Sequence, residues 1–159
     1  MKLGFDTMLV CESGHQITAL LKTRPHRNVA FCTRCGAPTL NQCPKCGIDI
    51  KGCEHIPGGR LSRVPVPRYC HGCGSPYPWQ AAVLENIQGL AAEGGLSNED
   101  QAELATALND VARDTPNTES ASLKVKCLLG KLGKPAGDLA LKVISDVASE
   151  TAKKILFRH

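Results

Sequence analysis

Eight of the nine cysteines stand before position 74, and with one histidine they follow a metal-ligand spacing: Cys11-x3-His15-x16-Cys32-x2-Cys35-x7-Cys43-x2-Cys46-x23-Cys70-x2-Cys73. Three of the four pairs share a frame, FCTRCGAP, QCPKCGID and YCHGCGSP, with Gly directly after the second Cys. Two thiolates in such a knuckle must converge on one ion at about 2.3 Å, and the backbone turns sharply just beyond, where Gly adopts positive φ without steric cost. Four pairs provide two four-donor sites, so the expected cofactor is zinc, two structural ions per chain. An odd cysteine total also fits poorly with a closed disulfide framework.

The first site needs a fourth donor beside Cys11, Cys32 and Cys35. His15 is the preferred one, because imidazole reaches far enough for a Cys-x3-His knuckle; Cys53, which has no neighbouring cysteine and lies in the long connection before Cys70, is the alternative. His71 sits between two ligands and should point outward, and His55 reads as a turn residue. Sequential pairing joins Cys11, His15, Cys32 and Cys35 at one ion and Cys43, Cys46, Cys70 and Cys73 at the other, the plan of a zinc ribbon. Interleaved pairing, a cross-brace, is the alternative. Four protein donors close a tetrahedral ion and leave no position for water, so both sites are expected to be structural and the chain is not expected to be an enzyme. No Ser-His-Asp set, phosphate loop or H-E-x-x-H helix stands elsewhere in the sequence.

The motif order C-x-x-G-H, FC-x-x-CG, CP-x-CG, G-x-x-H-x-PG and YCH-x-CG-x-P-x-PW resembles a bacterial family of zinc-ribbon proteins, domain of unknown function 2321, over about residues 6–80, with a weaker echo in DTPNT and the basic tail. The resemblance implies the ribbon fold and the ligand positions above and brings no activity with it. Cys53 stands where the family pattern has another residue, which favours His15 as the ligand.

Metal must replace a core in this half, because large apolar residues are sparse there, whereas thirteen of sixteen alanines follow position 80 and eight of ten prolines precede it. The expected fold class is small α+β: residues 1–78 a double zinc ribbon of short β-hairpins and knuckles, residues 79–159 an all-α region of about four short helices. Trp79, Val83, Ile87 and Leu90 form the stripe of the first helix, which ends at Gly94-Gly95; Ser97 with Asp100 starts a second, carrying Leu104, Leu108 and Val111. Thr115-Pro116 opens a third, with Ala121, Val125, Leu128 and Leu132, and a last one is expected from about 137 to 157 through Leu139, Val143, Ile144, Val147 and Ile155. Trp79 is expected to pack the first helix against the second ribbon. Cys127 reads as a buried thiol behaving as a small hydrophobe.

Charge alternates along the chain. Residues 1–79 hold ten Lys or Arg against four acids, residues 80–120 one against eight, and residues 121–159 eight against three. The leading expectation for function is an adaptor whose ribbon loops meet a protein partner, while the C-terminal helices dock a second surface or self-associate. The alternative is nucleic-acid binding. Lys22, Arg24 and Arg27 lie in the long loop of the first ribbon and Arg60, Arg63 and Arg68 in that of the second, where they suit phosphates, and Tyr69 or Tyr77 suits base stacking. The last helix places Lys142, Lys153, Lys154 and Arg158 beside an apolar face, but Asp146 and Glu150 interrupt the basic face, so a membrane surface ranks last. Asp6 breaks the N-terminal apolar stretch, no apolar run approaches the ~18 residues of a membrane span, and clustered cysteines suit a reducing compartment; the expected localisation is cytoplasmic.

Overall fold

The computed structural model describes residues 4–55 and 64–158. It divides into two compact units, Met1–Ala81 and Ala82–His159.

The first unit is built from very short strands. β1 (Phe5–Thr7) pairs antiparallel with β5 (Lys51–Glu54), and β2 (Leu9–Cys11) lies between β3 (Gln16–Thr18) and β4 (Thr39–Leu40), antiparallel to both. Strands this short cannot be held by their ladders alone, and their apolar support is small: Met8, Val10, Ile50 and Tyr77 with Cys43 and Cys70. One buried carboxylate organises the loop after β3. Asp6 accepts hydrogen bonds from the backbone N–H groups of Thr7, Lys22 and Thr23 at 2.6, 2.7 and 3.1 Å and from the Thr23 hydroxyl at 2.6 Å. His55 Nε2 lies 3.4 Å from the same carboxylate. Burial raises the Asp6 pKa, but these hydrogen bonds outweigh it and hold the group below the ordinary carboxylate value.

Cys53 is not a loop thiol: it lies on β5, buried, with its sulfur 3.6 Å from the carbonyl of Glu54. Its neighbour Gly52 permits this, since a Cβ there would stand 2.3 Å from the carbonyl oxygen of Ala19. Trp79 makes the expected second-ribbon contacts, stacking on Tyr77 and donating from Nε1 to the Pro67 carbonyl at 2.9 Å, and it also covers Gly14 of the first ribbon.

α1 (Pro78–Glu93) begins in the first unit and runs into the second, which continues with α2 (Asn98–Arg113), α3 (Thr118–Gly130), α4 (Lys134–Val147) and α5 (Glu150–Leu156). The structure therefore has five helices rather than about four. The expected final helix breaks at Ala148, which is extended, and Ser149 caps a new start by accepting from the Ala152 N–H at 3.2 Å. Ser97 caps α2 in the same way, through the Asp100 N–H, as its spacing suggested. Leu104, Leu108 and Val111 are buried as expected, and α3 packs against α2, α4 and α5. Cys127 is exposed on α3, so the reading of a buried thiol is corrected: the buried face there runs through Val125, Leu128 and Leu129. Among the described residues, no helix is long and apolar enough to cross a membrane.

Candidate metal centres

Each knuckle is one local construction used three times. The N–H of Cys32, Cys43 and Cys70 donates to the carbonyl of Ala37, Ile48 and Ser75, and the N–H of Gly36, Gly47 and Gly74 folds back on the carbonyl of the first cysteine, all at 2.8–2.9 Å. The glycines take φ of 74°, 73° and 70°, the positive values expected of them. In the Cys11–His15 turn the corresponding bonds are Cys11 N–H to His15 O and Gly14 N–H to Cys11 O, with Gly14 at φ 86°. The positive-φ residue stands just before the second ligand there, which is why the Cys-x3-His pair lacks the shared frame.

These turns bring the predicted ligands into two groups, Cys11, His15, Cys32 and Cys35, and Cys43, Cys46, Cys70 and Cys73, with the donor atoms of each group within 4.8 Å of one another. The grouping is sequential, not interleaved. Cys11 Sγ lies 3.7 Å from Cys35 Sγ, Cys43 Sγ 3.8 Å from Cys73 Sγ, Cys46 Sγ 3.6 Å from Cys70 Sγ, and His15 Nδ1 3.8 Å from Cys32 Sγ. A tetrahedron with metal–sulfur bonds of about 2.3 Å has edges of about 3.8 Å, whereas a disulfide brings the sulfurs to about 2.05 Å. The spacing therefore fits four thiolates or three thiolates and an imidazole around one ion. Cys53 stands outside both groups.

The backbone also prepares the sulfurs for charge. His15, Arg34 and Gly72 direct N–H groups at the sulfurs of Cys11, Cys32 and Cys70, at 3.3, 3.4 and 3.3 Å. The Ala37 N–H, then the Ser13 hydroxyl, lower the Cys35 thiol to about 6, and the side chain and N–H of Ser75 do the same for Cys73. At Cys46 the Ile48 N–H also pulls down, but burial and the neighbouring sulfurs Cys70, Cys73 and Cys43 prevail and push it up to about 12. Crowded thiols thus share protons that a divalent ion would displace.

The serine donors carry no separate sequence signal beyond their places beside Gly14 and Gly74. A Cβ at Gly72 would lie 3.1 Å from the Ile48 side chain and 3.6 Å from Cys46 Sγ, so a larger residue there would crowd the second group.

His71 is exposed, as expected for a residue between two ligands. Of the six basic residues assigned to nucleic acid, Lys22 pairs with Asp49 at 2.7 Å, Arg24 and Arg27 are exposed, Arg68 is half-buried, and Arg60 and Arg63 lie outside the described residues. Tyr77 is not available to a base: it is 1% exposed. Burial first, and then the charge of the Cys70 sulfur, hold its phenol above the ordinary tyrosine value.

No curated protein and no solved structure matches the chain. The family resemblance carried by residues 6–80 extends through the helical unit: the family model described as an uncharacterized protein conserved in bacteria, DUF2321, matches residues 4–156, and the chain belongs to that family.

Proposed function

We propose that the chain is a non-enzymatic zinc-binding adaptor, in which two structural zinc ions build a double ribbon that presents its loops to a protein partner while the helical unit docks a second surface or self-associates. The observation that carries this reading is the donor count: each group supplies four protein ligands at tetrahedral edge lengths, which leaves no coordination position for a substrate or an activated water. When bound, zinc supplies rigidity, and Cys11, His15, Cys32 and Cys35 would hold one ion and Cys43, Cys46, Cys70 and Cys73 the other. Phe31, 63% exposed beside the first knuckle, is the kind of aromatic anchor that protein interfaces use. The proposed compartment is the reducing cytoplasm, which suits nine cysteines free of disulfides.

A second reading, nucleic-acid binding, is favoured by one feature. No carboxylate side chain occurs between Glu12 and Asp49, while Arg24, Arg27, Arg34 and Lys45 are exposed in that stretch together with Phe31. Cations interleaved with an exposed aromatic ring suit a single strand.

Metal content per chain tests the first part: two zinc ions in the wild type, one in His15→Ala and two in Cys53→Ser. Two ions retained in His15→Ala would remove the histidine from the ligand set. Fluorescence anisotropy with a labelled single-stranded oligonucleotide separates the partner classes. Salt-dependent binding that is lost when Arg24, Arg27, Arg34, Arg60, Arg63 and Arg68 become Glu, with zinc intact, would replace the adaptor by the nucleic-acid reading.

A further inference from the structure

Tyr77 follows the last knuckle and is fixed from several sides. Its N–H donates to the Arg68 carbonyl at 3.0 Å beside the turn that holds Cys70 and Cys73, and its carbonyl accepts from the N–H groups of Gln80 and Ala81 at 3.0 Å, opening α1. The ring stacks on Trp79, with centroids 4.8 Å apart and 18° between the planes. It belongs to the small apolar cluster of the first unit with Met8, Val10 and Ile50. The hydroxyl, however, is buried and finds no hydrogen-bond partner among the described residues. An orphaned buried hydroxyl costs about 1–3 kcal/mol. Phenylalanine would fill the same space without that cost, so packing does not account for the oxygen.

The neighbouring thiols do. Cys43 and Cys70 share the cluster with Tyr77, and both are donors of the second site. Four thiolates around a divalent ion leave a net charge of −2 in a partly buried place, and a hydrogen-bond donor aimed at one of them relieves both that charge and the orphaned hydroxyl. Thr39 and Ile50 stand at the same distance after the other two Cys-x2-Cys knuckles, so the phenol is peculiar to this one.

Resting on the zinc reading, we infer that Tyr77 is a positioning residue of the four-cysteine site, its hydroxyl donating to the Cys70 thiolate when the ion is bound. The hydroxyl then joins the backbone N–H groups of Cys73 and Gly72, the latter at 3.3 Å, as donors to the Cys70 sulfur. The phenol tunes a ligand and holds no ion itself.

Tyr77→Phe tests the inference, with Tyr69→Phe as control, because the Tyr69 hydroxyl is engaged by Gln80 Nε2 at 3.5 Å. The Phe variant keeps the ring and its stack, so the zinc-loaded protein retains the near-ultraviolet circular dichroism of Trp79. In chelator competition Tyr77→Phe should lose about tenfold in zinc affinity at the second site alone. Which site empties is read from alkylation of the peptides holding Cys43, Cys46, Cys70 and Cys73. In the cobalt-substituted protein the thiolate-to-cobalt charge-transfer band should move to lower energy, because a thiolate has lost a donor. Unchanged competition and an unmoved band would overturn the inference while leaving the zinc reading in place. A wild type that binds no zinc would overturn both, and its metal content reports that before any variant is made.

Discussion

Removing metal from the intact chain should separate the stabilities of its two halves. Among the described residues, the first unit buries six large apolar side chains, Met8, Leu9, Val10, Leu21, Ile50 and Tyr77. At about 1.5–3 kcal/mol each, they provide roughly 9–18 kcal/mol as an upper estimate. Backbone ordering costs about 1–2 kcal/mol for every residue fixed, so that sum is exhausted within a few turns of chain. Two structural zinc ions at about 10–16 kcal/mol each would be worth more than this whole apolar core. The helical unit has a continuous cluster running from Leu84 to Leu156 and, among the described residues, no group that could hold a metal. After chelation in reducing buffer, hydrogen exchange followed by mass spectrometry should show peptides from 5 to 54 exchanging at once, while peptides from 100 to 147 keep their protection. Slow exchange of the ribbon peptides in metal-free protein would refute the claim that metal stands in for a core.

Gly52→Ala should destabilise the first unit by about 3 kcal/mol or more in denaturant titration, because the added carbon meets the backbone of Ala19, Asp6 and Thr7, which has no rotamer to yield. Asp6→Asn should cost about 2–4 kcal/mol, since one of two charged acceptor oxygens facing Lys22 and Thr23 becomes a donor. The folded pKa of Asp6 lies below the ordinary aspartate value of 3.8, so its contribution is fully present above that value and fades as pH falls through the folded pKa; the deficit of Asp6→Asn should therefore be flat across neutral pH. Brief alkylation of the native zinc-loaded protein should attach one label per chain, at the exposed Cys127, because Cys53 is buried and the other seven sulfurs are held by metal.

The candidate sites were legible because their constraints are local. A knuckle must place two sulfurs within a few ångströms and then reverse the chain, and both demands are written in residue types at fixed offsets: Cys-x2-Cys, then Gly at positive φ. Sequential grouping was legible for the same reason, since the seven residues between Cys35 and Cys43 join two turns without having to cross one. What sequence did not provide was the company these turns keep. Cys53 read as a loop residue because its strand partner, β1, lies more than forty residues earlier, and a four-residue strand containing Gly has no visible period. Tyr77 read equally as a ring for base stacking or as a packed one, because tyrosine beside prolines suits either environment; its burial depends on Met8, Val10 and Ile50, which no local pattern connects to it.

The helices show a different limit. The predicted stripes run through large apolar residues, and in α1 and α4 the buried face keeps Ile87, Ile144 and Val147 of them, while Val83, Leu90 and Val143 are only half-buried and alanines share the contact line. In α1 it runs through Leu84, Ile87 and Ala91, and in α4 through Ala140, Ile144 and Val147, which leaves Leu139 49% exposed. The cause is close approach. A Cβ on Gly137 would stand 3.0 Å from the Leu129 carbonyl oxygen, and one on Gly94 would stand 2.5 Å from Leu132 Cδ2. Where helices meet at such distances, small residues occupy the contact line and larger ones flank it, so alanine becomes a core residue and the count of Leu, Ile and Val points slightly off axis. In α2 the contact line carries Leu104, Leu108 and Val111 themselves, and there the same periodic reading finds the buried face. The error thus lies in the weight given to alanine rather than in the helical period, and it falls in the half of the chain where alanine is concentrated.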